Sequence, residues 1–218
     1  MPSPSTNEIM MSPLEAFHDP LVQSADHAGR TLEEILAWDD EKLECTHDYI
    51  QTVFPLTEPS PYEHLAPVLD EETMLIFRHS PPLQQSVVRS MIRILKFYGF
   101  EVDEWSWNID DTGRPHLTDG AISIRDRDVF AQQQAHWLRR LNHNHLRMSR
   151  IIRCLRLIGL EDVALGFYDA ISEIYSQLGS PDSRSPQFWR AAMRQPLHIA
   201  PNGRETEWLK KYSRQGEV

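Results

Sequence analysis

The hydrophobic pattern is strongest between His136 and Leu160, where a polar corner at residues 142–144 separates two apolar helical segments. At ~100° per residue, a helix after the corner has one wide apolar face and a second apolar line nearly opposite. The wide face carries Met148, Ile151, Ile152, Leu155 and Ile158, and the second line carries Leu146, Cys154 and Leu157. A helix that is apolar around most of its circumference is usually buried. The pattern therefore predicts a central, buried helix that ends at Gly159.

The same period predicts a helix over residues 40–54, capped by Asp39 or Asp40 and ended by Pro55. One line of this helix carries Leu43, His47, Ile50 and Phe54. His47 is therefore expected in the middle of a buried stripe, with Gln51 on its flank and Asp48 pointing away.

The rest of the chain between about residues 29 and 195 is mostly helical in pattern. The further predicted helices begin at the capping box of Thr31 and Glu34, at Asp70, at Pro81, near Arg125, at Glu161 and at Gln187. From Phe100 to Ile124 the helical period disappears, and weak alternation around an Asp-Asp-Thr-Gly turn indicates a small hairpin at about 101–118 or an ordered loop. Trp105 and Trp107 in this stretch either lean on the helices or form part of a ligand lid.

These elements predict an all-α fold, an irregular multi-helix bundle with one long non-helical loop. Residues 1–28 are rich in Pro and Ser and are predicted to be a flexible N-terminal arm. The helical domain is predicted over residues 29–195, and residues 196–218 read as a polar C-terminal tail.

The charge, apolar content and cysteines of the chain argue against several classes of protein. The chain has 218 residues and a formal net charge of −10, which argues against a general nucleic-acid binder. Arginines cluster locally between Arg139 and Arg156, so a regulator that touches nucleic acid through this face is a weaker reading. The N-terminus has no secretory pattern, and no run of ~18 apolar residues could span a membrane. The two cysteines, Cys45 and Cys154, are expected to be reduced thiols in an intracellular, soluble protein.

Three segments carry a family resemblance: LEEILAWDDEKLECTHDYIQTVFPL, IRILKFYGFEV and HNHLRMSRIIRCLRLIGLE. The first contains His-Asp-Tyr-Ile-Gln followed by Phe54-Pro55, and the third contains His143-Asn144, Leu146-Arg147 and a hydroxyl residue before Arg150-Ile151-Ile152. In this order and spacing, the segments closely resemble the N-terminal conserved region of the opioid growth factor receptor family. The resemblance covers Thr31 to Tyr175, and the loop from Trp105 to Thr118 and the tail depart from it.

The resemblance implies an intracellular helical domain that acts in the cytoplasm, the nucleus or both. In vertebrate members the named role is the binding of an opioid pentapeptide, together with growth inhibition. The partner implied for this chain is a peptide, a protein or a small organic ligand, and no cofactor is implied. The oligomeric state is left open.

The family motifs contain seven polar residues that we take as candidate ligand-binding residues: His47, Asp48, Gln51, His143, Asn144, Arg147 and Arg150. We hypothesise that they form one buried polar cluster. Each also has a structural interpretation, since a histidine or asparagine on an apolar face is commonly buried and hydrogen-bonded. Asn144 could instead cap the central helix.

The two arginines of the motif, Arg147 and Arg150, have two interpretations as well. As structural groups they would pair with a carbonyl or with helix carboxylates such as Asp48 or Glu44, because a buried guanidinium needs a partner. As functional groups they would present a fork to an anionic ligand. Arg153 and Arg156 are expected on a solvated face.

A metal site is not predicted, because His143 and His145 diverge on a helix and no zinc motif is present. No motif of nucleophilic or phosphate chemistry occurs either, so catalysis is left open. The first functional hypothesis is a non-catalytic helical module that binds a peptide or protein in a groove near the central helix. The alternative is a small cofactor-independent enzyme, an isomerase or cyclase, with His47, Asp48 and Arg147 as catalytic candidates.

Overall fold

The computed structural model describes residues 11–102, 107–117, 121–124, 127–139, 142–179 and 183–213. The helices are α1 (Pro13–His18), α2 (Leu32–Leu36), α3 (Asp40–Cys45), α4 (Ile50–Val53), α5 (Glu71–His79), α6 (Pro81–Tyr98), α7 (Arg127–Gln133), α8 (Asn144–Leu157), α9 (Glu161–Leu178), α10 (Ser185–Arg194) and α11 (Lys210–Ser213). The strands are β1 (Phe100–Val102), β2 (Trp107–Ile109), β3 (Pro115–Leu117) and β4 (Ile122–Ile124), and short 3-10 helices lie at Gln134–His136 and Glu207–Leu209.

The predicted central helix is α8, which packs against both α9 and α10. Its wide apolar face is buried, and so are Cys154 and Leu157 on the second line, whereas Leu146 in the first turn is exposed. The helix ends where Gly159 adopts a left-handed conformation with φ +82°. The amide of Leu160 then bonds to the carbonyl of Leu155, which closes the last turn. The predicted position and end of the central helix are thus confirmed.

The predicted helix over residues 40–54 is two short helices with a break at residues 46–49. Thr46 has extended backbone angles, φ −95° and ψ 129°, so the helical phase is lost after Cys45. His47 lies in this break and is exposed, and its predicted place in a buried stripe is wrong. The physical reason is that a period of 3.6 residues relates side chains only while the helix is continuous.

The non-helical stretch contains the predicted hairpin, in which β2 and β3 pair antiparallel around the Asp-Asp-Thr-Gly turn. A second antiparallel pair, β1 with β4, flanks it. The fold is therefore mostly helical, as predicted, with two small sheets in addition. Leu117 of β3 donates its N–H to Asp162 Oδ2 at 3.1 Å, which ties the hairpin to the start of α9. Trp105 lies outside the described residues, so its predicted role stays a prediction.

Both ends of the described chain are packed on the helical body. Residues 13–18, inside the segment predicted as a flexible arm, form α1, whose Leu14 and Phe17 are buried. Leu197 and Leu209, inside the predicted tail, are buried as well. The domain boundaries at residues 28 and 195 stay predictions. Among the described residues, no helix combines the length and the apolarity needed to cross a membrane. Cys45 and Cys154 are both free thiols.

Candidate functional site

The polar corner before α8 holds a fully hydrogen-bonded asparagine. Asn144 is buried, and its Nδ2 donates to Glu44 Oε2 at 2.9 Å and to the carbonyl of His136 at 2.7 Å. Its Oδ1 accepts hydrogen bonds from Arg147 Nη1 at 3.0 Å and from the Tyr98 hydroxyl at 3.4 Å. Asn144 is not the cap of α8, because the N-cap position is His143, and Asn142 Oδ1 accepts the N–H of Asn144 at 2.8 Å. Asn144 therefore joins α8 to α3 and α6.

Arg147 is buried and is bound mainly by main-chain oxygens. Its Nη1 donates to the carbonyl of Leu43 at 3.0 Å, and its Nη2 donates to the carbonyl of Thr46 at 2.8 Å. Both carbonyls are at the end of α3, where helix geometry leaves them without an intrahelical partner. The predicted carboxylate partners, Asp48 and Glu44, are not its hydrogen-bond acceptors. Arg147 caps α3 and, through the break at residues 46–49, fixes the direction of the chain.

Arg150, one turn further along α8, is also bound by a main-chain carbonyl. Its Nη1 donates to the carbonyl of Phe54, just after α4, at 3.1 Å. Burial lowers the pKa of Arg150 to about 10, with Cys154 and Glu58 acting in the opposite direction. Arg150 is half-buried, and its guanidinium faces a carbonyl at the end of α4.

Arg153 and Arg156 correct the expectation of a solvated face. Arg153 is only 1% exposed and donates Nε to Glu58 Oε1 at 3.0 Å, with Nη2 bonded to the same carboxylate. Arg156 is half-buried, and its Nη1 donates to the carbonyls of Ala192 and Gln195 at the end of α10. The polar sector of α8 is therefore covered by the segment around Glu58 and by the chain after α10.

Asn144 and its hydrogen-bond partners Glu44, Tyr98 and Arg147 form a cluster, the Asn144 cluster. Histidines lie on its solvent side. His143 is half-buried, with Nε2 3.6 Å from Glu44 Oε2, and its ring is 4.8 Å from that of His47. His136 Nδ1 lies 3.8 Å from the same Glu44 oxygen. Burial, and secondly the charge of Arg147, lowers the pKa of His143. His47 therefore contacts the edge of the cluster through His143, outside its buried centre.

The remaining candidates lie elsewhere. Asp48 accepts a hydrogen bond from Arg30 Nη1 at 2.8 Å and belongs to a separate group of charges. Gln51 is buried and donates Nε2 to Ser60 Oγ at 3.4 Å. The hypothesis of one cluster uniting all seven residues is therefore wrong. Asn144, Arg147 and, at the rim, His143 and His47 come together, while Asp48, Gln51 and Arg150 do not join them.

An open groove lies between α9 and α10, on the side of the bundle next to α8. Its volume is about 880 Å³, inside the range of roughly 300–1,000 Å³ typical of ligand pockets. Its wall includes Tyr168, Tyr175, Arg190, Arg194 and Gln195, together with several serines. None of the described wall residues is acidic, so the groove is locally basic on a chain of net charge −10.

Two buried polar atoms of the groove residues have no hydrogen-bond partner. They are the hydroxyl of Tyr175, a residue that is 5% exposed, and Oε1 of Gln195. The ring of Tyr175 is held by Trp189, with ring centroids 5.0 Å apart, and by His145 at 5.4 Å. Buried polar groups are normally paired, so each orphan calls for a partner. Both atoms are themselves shielded from solvent, so they lie behind the wall of the groove and do not face into it.

The sequence pattern missed this groove. Tyr175 lies outside the predicted apolar stripe of α9, which includes Ile171 and Ile174, and α10 was predicted only as a short helix. Whether a groove opens there depends on how α10 is turned against α8 and α9, which local periodicity does not determine.

The chain is similar to known proteins. The family model described as "Opioid growth factor receptor (OGFr) conserved region" matches residues 17–170. The opioid growth factor receptor of Rattus norvegicus is 34% identical over 136 residues, which is 61% of this chain and 21% of the relative. The Homo sapiens receptor is 32% identical, covering 61% of this chain and 18% of its own length.

A more distant relative is the opioid growth factor receptor-like protein 1 of Xenopus tropicalis, 28% identical over 137 residues, 62% of this chain and 23% of the relative. The chain thus spans about a fifth of the length of these curated relatives. No solved structure matches the chain.

Proposed function

The chain belongs to the opioid growth factor receptor conserved-region family, and from this premise we propose that it is a non-catalytic module that binds a short peptide in the groove between α9 and α10. The observation that carries the proposal is the groove itself, whose described wall has no acidic residue and carries the exposed Arg190 and Arg194. An intracellular site of action, cytoplasmic or nuclear, is part of the proposal and rests on the family resemblance.

The chemistry of the groove favours a peptide with a free carboxylate. A guanidinium group binds a carboxylate with two parallel hydrogen bonds, and Arg190 and Arg194 lie on the same face of α10. The guanidinium of Arg194 is already 6.0 Å from the ring centroid of Tyr168, so aromatic and charged groups are adjacent. The relatives are named as receptors of an opioid growth factor, and an opioid pentapeptide is the natural first probe.

The alternative of a cofactor-independent enzyme receives less support. It requires His47, Asp48 and Arg147 to face one pocket, whereas Asp48 is bound by Arg30 and Arg147 by the carbonyls at the end of α3. A side chain whose hydrogen-bonding capacity is taken up by the fold is poorly suited to acid–base work. We therefore assign the motif arginines and Asn144 a role in holding the helices together, and assign binding to the groove.

The test is calorimetric titration of the full chain with an opioid pentapeptide carrying a free carboxylate, and with the same peptide as a C-terminal amide. We expect binding of the acid and at least about tenfold weaker binding of the amide, because a hydrogen bond to a charged group contributes roughly 1.5–3 kcal/mol. Arg190→Ala and Arg194→Ala should each weaken binding of the acid to a similar extent.

The matched control is Lys96→Ala, which removes one positive charge from an exposed position on α6. It should leave the affinity unchanged, since the screening length at physiological salt is only about 8 Å. Equal affinity for acid and amide, or loss of binding in the Lys96 variant alone, would exclude the proposed recognition of a carboxylate by the groove.

A further inference from the structure

Three irregular segments, none of which lines the groove, bring together the side chains of His27, Asp48 and Glu63. His27 Nε2 lies 3.8 Å from Asp48 Oδ2 and 3.7 Å from Glu63 Oε2. One imidazole nitrogen and two carboxylate oxygens, all within 4.8 Å of one another, form a group that could hold a metal ion. Each residue comes from a different loop: the turn before α2, the break between α3 and α4, and the Pro-rich link after α4.

The imidazole at the centre of this group is enclosed but unpaired. Its side chain is 11% exposed, yet both Nδ1 and Nε2 are shielded from solvent and neither has a hydrogen-bond partner. A buried ring nitrogen without a partner is uncommon in native proteins. Either the ring is charged and attracts the two carboxylates across nearly 4 Å, or a bound cation completes its surroundings.

The spacing of the donor atoms fits a small divalent cation. With bonds of ~2.1 Å and tetrahedral angles at the ion, neighbouring ligand atoms are roughly 3.4 Å apart. The two distances from His27 Nε2, 3.7 and 3.8 Å, exceed this value by only a few tenths of an ångström. A mixed nitrogen and oxygen donor set with two negative charges is better suited to Zn²⁺ than to Mg²⁺ or Ca²⁺, which prefer oxygen ligands alone.

A second layer of charged residues orients one of these ligands. Asp48 Oδ1, the oxygen that does not face His27, accepts a hydrogen bond from Arg30 Nη1 at 2.8 Å. Arg30 is itself held by Asp26, whose carboxylate is fully buried and accepts Nε at 2.9 Å. Such outer partners are typical of metal sites, where they fix the direction of the ligating oxygen.

We propose that His27, Asp48 and Glu63 bind a divalent transition-metal cation, with Zn²⁺ the best fit, and that the ion fastens three loops on this side of the bundle. The site does not depend on the peptide groove, and it revises the expectation from the sequence that no metal is bound. Twenty residues separate His27 from Asp48, and a Pro-rich link precedes Glu63. This spacing matches no linear zinc motif, so the sequence alone did not indicate the site.

The experiment is a titration of the full chain with ZnCl₂ after dialysis against EDTA, followed by calorimetry and by thermal unfolding. We expect one tight site and a rise in Tm on addition of the metal. His27→Gln and Glu63→Gln should each weaken Zn²⁺ binding by at least about tenfold and abolish the rise in Tm. His79→Gln, at an exposed histidine on α5, is the matched control and should behave like the wild type.

Circular dichroism of the metal-free variants checks that they are folded, and the two ligand variants give independent tests if one of them is not. Absence of Zn²⁺ binding by the wild type, or the same affinity in the wild type and both ligand variants, would overturn the proposal. In that case the group is an ion-pair cluster of a protonated His27 with two carboxylates. Binding of Mg²⁺ in preference to Zn²⁺ would overturn the assignment to a transition metal.

Discussion

At the scale of single residues, the ion pair of Arg153 and Glu58 makes the clearest prediction. Their side chains are only 2% and 10% exposed. Removal of one partner from a buried pair leaves an uncompensated charge, which typically costs about 3–5 kcal/mol. We expect Arg153→Ala to lower the free energy of unfolding by about this amount, measured by urea denaturation at neutral pH.

The matched control is the exposed pair of Arg89 and Glu33, with side chains 52% and 46% exposed. Arg89→Ala should lower the free energy of unfolding by less than about 1 kcal/mol, because solvent screens the pair. Similar losses in the two variants would mean that Arg153 is not buried as described.

His18 predicts a dependence of stability on pH. Its ring is buried, with Nδ1 3.2 Å from Ser86 Oγ and Nε2 3.2 Å from the carbonyl of Thr52. Burial lowers the pKa of His18 from 6.5 to about 4, against a smaller opposing effect of the bond to Thr52. Between these two values the unfolded chain binds a proton that the folded chain does not, so the stabilisation is complete above pH 6.5 and is lost as the pH falls.

The expected size of this effect is about 3 kcal/mol between pH 6.5 and 4. Chemical denaturation across this range should show a steeper loss of stability in the wild type than in His18→Gln, whose side chain does not titrate. Parallel curves for the two proteins would show that His18 is not held neutral in the folded state.

For single polar residues, the sequence indicated which side chains are buried better than it indicated their hydrogen-bond partners. The buried Asn144 and Arg147 were foreseen because they interrupt a strong apolar period. The exposure of His47 and the burial of Arg153 were not predicted, because each depends on contacts with a segment distant in the sequence. Glu58, which binds Arg153, lies 95 positions away in a link without periodicity, and no local pattern relates the two.

At the scale of helices, arginines hold the ends of neighbouring elements. Arg147 binds carbonyls at the end of α3, Arg150 binds the carbonyl after α4, and Arg156 binds carbonyls at the end of α10. The end of α8 is held in the same way by Arg78, which donates to the carbonyls of Leu157 and Arg156. Terminal carbonyls carry the negative end of the helix dipole, so a cation there is favourable.

This arrangement predicts local effects from a conservative substitution. Lysine keeps the charge but cannot reach two carbonyls with one planar fork. Arg147→Lys should destabilise the fold by about 1–3 kcal/mol, the range for leaving a buried acceptor unpaired. Hydrogen exchange should become faster in α3 than in α10, and Arg156→Lys should produce the reverse pattern. Uniform acceleration in both variants would contradict a helix-by-helix role of the arginines.

Helix boundaries were predictable where they are set by residues within one turn, such as caps and glycines. The capping box of Thr31 and Glu34 and the glycine after α8, Gly159 with φ +82°, act within one turn and were identified correctly. The break at residues 46–49 was not identified, because a side chain 101 positions away, Arg147, binds the carbonyl of Thr46. Local propensity cannot register a contact of this kind.

For the whole molecule, the family motifs and the proposed binding groove occupy different places. The motif residues Asn144 and Arg147 lie inside the bundle and join α8 to α3, while the groove lies mostly in residues 168–196. The family model ends at residue 170. The sequence therefore indicated the framework and the family, and the orientation of α10 against α9, which forms the groove, came only with the structure.

The most direct measurement is a nuclear magnetic resonance titration of the ¹⁵N-labelled chain with an opioid pentapeptide carrying a free carboxylate. We predict that amide shifts change along α9 and α10, most strongly around Arg190 and Arg194, and that the changes are much reduced in Arg194→Ala while its fold is retained. Shift changes concentrated around Glu44, His143 and Arg147, or no changes at all, would contradict this prediction.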